Sequence, residues 1–492
     1  MNIKIDFDNS YSRLPENFYE RVKSTNVGKP QLIQYNESLA QELGLDFESI
    51  SNQELADFFS GNILAEWSEP IAQVYAGHQF GYFNPRLGDG RAMLLWELID
   101  KEGNRKDIQL KWSGRTRFSR TRSDGKAPLW AVIREYILSE AMNALGAPTT
   151  RALAMVKTWE EVYRERIEPG AIITRVASSH IRIGTFEYFA HKKDYKSIKI
   201  LTDYVIDRHY PEVKNNSNPY LSFFEAVIDK QVKLVAKWMN LGFIHGVMNT
   251  DNTSISWETI DYGPCAFMDE YHRNTVFSFI DRDWRYAFEN QKYIIGWNLM
   301  KLWESIIHLI DSNEKKSVDL INNALSSIAI TFDEYWLDGM KNKIGIISMD
   351  DGDEKLIREL LEMMERGRVD YTLFFRYLSN AVETLNNTLV KKIFERENEI
   401  DTWLSQWNKR LEKQGIGWDQ LSTNMKQVNP AFIPRNHRVQ QAIDEAINKT
   451  DFILMNQLLE ILKNPYADQP EYGEYMNPPK EDERVHQTFC GT

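Results

Sequence analysis

The stretch HGVMNTDN at residues 245–252, followed by DYG at 261–263, brings Asp251, Asn252 and Asp261 into one polar segment. Amide and carboxylate oxygens suit a hard cation such as Mg²⁺, which keeps waters and phosphate oxygens as its other ligands. Upstream lie groups that suit an anion. In RLGDGR, residues 86–91, Gly88 and Gly90 let a backbone approach phosphates closely, with Arg91 beside them. A plain turn would read the same way. Lys111 opens KWSGRTRFSRTRSDGK, which holds six basic residues and one acidic residue, Asp124, followed by Gly125. A solvated face is the ordinary reading of such a run, but its interleaved Ser, Gly and Thr also suit a phosphate-binding loop. Arg175 and Arg182 stand seven apart in TRVASSHIRIGTFE, and guanidinium forks grip phosphates bidentately.

The elements that must hold these groups are legible from periodicity. MLLWEL at 93–98 and IQLKW at 108–112 flank the turn-rich IDKEGNRKD and predict an antiparallel hairpin. Ile108, Leu110 and Trp112 then share one face and Lys111 points to the other. LWAVIREYILSEAMNALGAP predicts a helix stopped by Gly146 and Pro148; it carries Glu135, 24 residues after Lys111. ALAMV and AIITRV complete a small sheet. A strand lysine held by a helix glutamate is how kinase-like folds set a cation on nucleotide phosphates. The kinase pattern H-R-D-L-x-x-x-N also places Asn252 correctly, seven after His245, with DYG in place of D-F-G. The base position, however, is Val247. Ordinary kinase chemistry is therefore expected to be impaired, and Asp251 is the nearest carboxylate able to take a proton.

From about residue 195 the chain turns helical, with Phe224, Val227, Ile228, Val232, Val235, Trp238 and Met239 forming a stripe ended by Gly242. The expected architecture is α+β and protein-kinase-like in two lobes: a small antiparallel-sheet N-lobe with one main helix, and a large helical C-lobe. Residues 1–70 read as an N-terminal extension, 71–195 as the N-lobe and 196–428 as the C-lobe. Residues 429–492 read as helices and a flexible tail ending in Cys-Gly-Thr.

The net charge of −12 weighs against nucleic-acid binding, which needs a broad basic surface. With Cys265 and Cys490 as its only cysteines the chain has no disulfide framework and suits a reducing compartment. It shows neither a signal-peptide core nor an apolar run near the ~18 residues of a membrane span. A cytoplasmic setting is expected, with no membrane partner.

The motifs YAGHQFGYFNPRLGDGR, QLKWSGRTRFSRTRSDG, REYILSEAMNALGAPTTRAL, TRVASSHIRIGTFE and HGVMNTDNTSI with DYGP, and the final CGT, resemble the selenoprotein O family, known in bacteria as YdiU. The basic loop is more cationic than the family's pattern. The resemblance implies a kinase-like fold that binds ATP in a flipped orientation and transfers AMP to Ser, Thr or Tyr hydroxyls of target proteins, releasing pyrophosphate. It implies Gly88, Gly90, Arg91, Lys111, Asp124, Gly125, Arg175 and Arg182 around the nucleotide, with Glu135 orienting Lys111. Asp251 would be the proton acceptor, and Asn252 and Asp261 would bind Mg²⁺ or Mn²⁺. The family's C-terminal cysteine or selenocysteine implies redox work, here a reversible Cys265–Cys490 disulfide answering to a thioredoxin-like or glutaredoxin-like reductant. Three other readings stand beside AMP transfer: UMP transfer, γ-phosphate transfer with Asp251 as a displaced base, and a silent nucleotide-binding scaffold.

Overall fold

The structure is a computed structural model that describes residues 7–66, 68–121, 123–311, 313–394, 396–489 and 491. It is a mixed α/β architecture in which an antiparallel sheet precedes a helical region. The predicted hairpin is formed by β6 (Ala92–Ile99) and β7 (Arg105–Lys111), with Ala92 opposite Lys111 and Ile99 opposite Arg105. The two later strand segments are longer than their apolar cores: β9 (Arg151–Tyr163) pairs with β10 (Ile167–Ala177), and β10 with β7.

The N-terminal extension does more than wrap the sheet. Its β1 (Tyr19–Arg21) pairs with β3 (Ile71–Gln73), and its β2 (Gln31–Tyr35) pairs with β9. The strand order β1-β3-β6-β7-β10-β9-β2 therefore has an extension strand at each edge, where unpaired backbone groups would otherwise invite association. A separate hairpin, β4 (Gly77–Gln79) with β5 (Tyr82–Asn84), and the two-residue β8 (Ala127–Pro128), paired with β10, complete this half.

The pleat sorts the two sheet faces. Met93, Leu95, Ile108 and Leu110 pack with Leu39, Leu43, Phe58 and Phe59 of α1 (Glu37–Leu43) and α2 (Asn52–Phe59). On the opposite face Leu94, Met155 and Ile173 join Ile133, Ile137 and Ala141 of α3 (Leu129–Ala144), the helix predicted to carry Glu135.

The helical half begins with α4 (Ile183–His191), α5 (Tyr195–His209) and α6 (Pro219–Leu241). The predicted stripe of α6 is buried along its length, and each such apolar side chain contributes about 1.5–3 kcal/mol of burial energy. Gly242 ends α6 at φ 73°, a left-handed C-cap that glycine adopts without a Cβ penalty. The paired β11 (Phe243–Ile244) and β12 (Ala266–Phe267) then pinch the polar segment between them into a closed loop. α7 (Gln291–Ile310), α8 (Glu314–Lys343) and further helices up to Ile453–Leu462 follow. No helix among the described residues is long and apolar enough to cross a membrane.

The segment after Ile453–Leu462 was expected to be flexible from its Pro and charge content. Its described residues instead form short 3₁₀ turns at Pro470–Met476 and Glu481–Glu483, bury Tyr475, and meet the segment after DYG through Thr488 and α3 through Gly491.

Candidate active site

One side of β7 builds the floor of the site. With Ile108 and Leu110 turned to α1 and α2, alternation sends Asp107, Gln109 and Lys111 to the other face, and all three are buried. Lys111 Nζ lies 2.5 Å from Glu135 Oε2 of α3, the pair expected from the sequence. The same Nζ lies 2.5 Å from Asp261 Oδ1. Asp261 adopts φ 65°, a left-handed conformation that aspartate tolerates better than branched residues do.

Two arginines share this carboxylate. Arg175, opposite Gln109 in the β10–β7 register, places Nη1 2.7 Å from Asp261 Oδ1 and 3.4 Å from Glu135 Oε1. Arg182, at the start of α4, places Nη1 3.0 Å from Asp261 Oδ2 and donates to the Asp251 carbonyl at 2.7 Å. Burial alone would raise the Asp261 pKa, but Lys111, Arg175 and Arg182 together hold it well below the usual carboxylate range. Burial pulls the Lys111 ammonium down, against Asp261 and Glu135. Three buried cations thus face the carboxylates of Asp261 and Glu135, an excess of positive charge suited to phosphate oxygens.

Asp251 and Asn252 sit in the 3₁₀ turn Thr250–Asn252, between Val247 and the DYG. Asp251 is buried, and burial pushes its carboxyl up to about 6, opposed by a 3.0 Å hydrogen bond from Gln79 Nε2 and by the Arg182 charge. A carboxylate titrating near neutrality can accept a proton from an attacking hydroxyl. Asn252 Nδ2 donates to the Val247 carbonyl at 2.9 Å, which leaves Oδ1 as its acceptor. His245 is buried, with Nε2 2.9 Å from the carbonyl of Ile260, so it anchors the peptide ahead of Asp261.

The glycine loop and the basic loop form one unit. Gly88 stands at φ 65° and donates its N–H to the Tyr75 carbonyl at 2.9 Å. At Gly90 a Cβ would fall 2.8 Å from the Phe118 carbonyl oxygen, so only glycine fits this approach. The Thr116 hydroxyl donates to Asp89 O at 2.7 Å and the Ser119 hydroxyl to Gly90 O. Arg91 is set beside Lys111 by a 2.5 Å bond from Trp112 N to its carbonyl. Asp124 is engaged by Arg164 through two 3.1 Å bonds and is not joined to the Lys111 cluster; Gly125 accepts from Gly114 N at 3.2 Å.

Several participants carried no sequence signal strong enough to single them out. Gln109 accepts from Arg175 Nη2 at 2.6 Å and donates to Asp89 Oδ2 at 3.3 Å, joining the cation cluster to the glycine loop. Its place on the polar face of β7, two residues from Lys111, was the available clue. Arg134, beside Glu135, donates to the carbonyl of Gly263 at 3.0 Å and to that of Cys265, fixing the chain past DYG to α3. Among the described residues no group of three or more His, Cys, Asp and Glu is placed to hold a metal. The amide oxygen of Asn252 and the carboxylate of Asp261 are donor types that suit Mg²⁺, but both Asp261 oxygens are engaged by Lys111, Arg175 and Arg182.

Comparison with known proteins sets the class. The chain is 52% identical over 487 residues to the protein nucleotidyltransferase YdiU of Rhizobium meliloti, covering 99% of each. It is 51% identical over 486 residues to that of Maridesulfovibrio salexigens (99% and 98%) and 49% over 489 to that of Nitrobacter winogradskyi (99% and 96%). These relatives place it among the nucleotidyltransferases. The model of the family described as protein adenylyltransferase SelO matches residues 1–463, and the chain belongs to that family.

Proposed function

We propose that the protein transfers AMP from ATP to Ser, Thr or Tyr hydroxyls of other proteins, using a kinase-like two-lobed arrangement with the nucleotide flipped. The observation that carries this reading is the disposition of charge: Lys111, Arg175 and Arg182 lie buried around Asp261. Val247 occupies the kinase base position, and Asp251 supplies the available carboxylate. With the β- and γ-phosphates drawn to that cluster and to the basic loop, the α-phosphorus is the centre left facing an acceptor. The hydroxyl oxygen bonds to it, the bond from the α-phosphorus to the α,β-bridging oxygen breaks, and pyrophosphate leaves with that electron pair. Asp251 takes the hydroxyl proton, while the cations stabilise the charge growing on the leaving group. A divalent cation, Mg²⁺ or Mn²⁺, held by Asn252 and Asp261, would supply further neutralisation there.

The proposed setting is the bacterial cytoplasm, with protein acceptors and a thioredoxin-like or glutaredoxin-like reductant as partners, and neither nucleic acid nor membrane. The test is incubation with an acceptor protein and ATP labelled separately on the α- and γ-phosphates. α-Label is expected in protein and γ-label is not. Incorporation of γ-label at an equal or greater rate would establish a kinase instead.

A further inference from the structure

The β4–β5 hairpin has no part in the nucleotide contacts described above, yet it lies directly on the 249–251 turn. His78 N donates to Thr250 Oγ1 at 2.7 Å, and Phe80 N to Asn249 Oδ1 at 3.1 Å. The Thr250 hydroxyl and the His78 ring both meet the Glu187 carboxylate of α4. At Gly77 a Cβ would fall 2.8 Å from Asp251 Oδ1, so the hairpin backbone abuts the carboxylate itself. Between these fastenings, Gln79 Nε2 donates to Asp251 Oδ2 at 3.0 Å.

The orientation of that amide is dictated by its other neighbour. Arg120 Nη2, from the basic loop, lies 3.0 Å from Gln79 Oε1. Arginine offers only donors, so Gln79 must present its oxygen there and has its NH₂ left for Asp251. Asp251 Oδ1 is buried against Gly77 without a hydrogen-bond partner among the described residues, so Oδ2, which keeps a second lone pair beside the Gln79 bond, is the oxygen left to take a proton. We propose that Gln79 is the positioning residue of Asp251: its amide, oriented by Arg120, fixes Oδ2 and thereby the direction in which that oxygen can receive the acceptor's proton. The inference rests on the transfer reading above, and it adds that the loop expected to hold the polyphosphate also sets the carboxylate.

Gln79→Met keeps the length of the side chain and removes both polar contacts. Gln79→Glu keeps an oxygen for Arg120 but offers Asp251 no donor. Both variants are expected to fold with wild-type melting curves. Both should lower the maximal rate at saturating ATP by ~10-fold or more, the value of a hydrogen bond to a charged group, while ATP affinity measured by calorimetry stays within about twofold. In an Asp251→Asn background Gln79→Met should cost nothing further, because a residue acting only through another shows no independent effect. Equal losses in both backgrounds, or a loss explained by weaker ATP binding, overturn the inference. So does full activity of Gln79→Glu, which would show that contact with Arg120 suffices. Failure of the transfer reading appears separately, as γ-label in the products of the wild type.

Discussion

Asp261 is the residue on which the site's electrostatics turn, because Lys111, Arg175 and Arg182 all lean on its carboxylate. From sequence, Lys111→Ala and Asp261→Ala look alike, each removing a ligand contact and sparing the fold. The structure separates them. Without Lys111, Asp261 keeps both arginines and Glu135 keeps Arg175. Without Asp261, Lys111 and Arg175 are left to share Glu135, and Arg182 loses its ion-pair partner. Removing one partner from a buried ion cluster costs ~3–5 kcal/mol. Lys111→Ala is therefore expected to lose ~10²-fold or more in transfer with a near-normal melting temperature. Asp261→Ala should lose transfer and melt clearly lower, and millimolar pyrophosphate should raise its melting temperature more than the wild type's. Identical melting curves for the two variants would show that the cations do not depend on Asp261. Lys111 and Glu135 were legible in the sequence because one strand alternation and one helix place them. The load on Asp261 was not, since its partners reach it from 150, 86 and 79 residues away.

At the scale of elements, the glycine loop is held to the sheet by a buried carboxylate. Asp89 Oδ2 accepts from Gln73 N of β3 at 3.0 Å and from Gln109 Nε2 of β7 at 3.3 Å. Burial pushes its carboxyl up to about 6, with Arg182 opposing. A carboxyl whose folded pKa lies above its unfolded value near 3.8 stabilises the fold fully below that value. The contribution is lost as pH rises through the folded pKa, so the window here is about pH 4 to 6. A shift of this size corresponds to about 3 kcal/mol. Asp89→Asn should remove it: urea unfolding of variant and wild type, compared at pH 4.5 and 7.5, should show the variant gaining relative stability at the higher pH. A difference that does not change with pH would mean that Asp89 is not held protonated by burial. The β6–β7 hairpin, the strands β9 and β10, and α3 could be read from alternation and helical spacing. The β4–β5 hairpin could not, because Gly77 to Gln79 and Tyr82 to Asn84 are too short to show a period. What holds the hairpin is a tertiary contact spanning 172 residues, from Gln79 to Asp251.

Across the whole molecule, the described residues near both ends of the chain are fastened to other elements. The N-terminal extension occupies the two sheet edges, and the C-terminal tail lies along the segment that follows DYG. Arg484 pairs with Glu270 at 2.6 Å. Thr488 N donates to Phe277 O at 2.7 Å, Phe279 N to Thr488 O at 3.1 Å, and the Thr488 hydroxyl to the carbonyl of Pro264 at 2.5 Å. Gly491 then packs so tightly on α3 that a Cβ would fall 2.3 Å from Ala131 Cβ. The segment from Pro264 to Phe279 is thus held by the tail, while Arg134 of α3 holds its start through Gly263 and Cys265. The Cys265–Cys490 pairing expected from the family resemblance falls on Cys490, which lies outside the described residues. The described tail bears on it through Thr488, seated on the residue that precedes Cys265. A disulfide closing so long a loop sacrifices modest further entropy per added residue, so the reduced and oxidised states can differ mainly in how firmly the tail holds this segment. Oxidation is expected to slow nucleotidyl transfer, a thioredoxin-like reductant to restore it, and Cys490→Ser to ignore both. Gly491→Leu, which cannot seat against Ala131, should blunt the response to oxidant while leaving both thiols in place. Peptide mapping of the oxidised, unreduced protein should recover one linked pair containing Cys265 and Cys490. Two unlinked thiols with unchanged activity would leave the tail a purely structural strap.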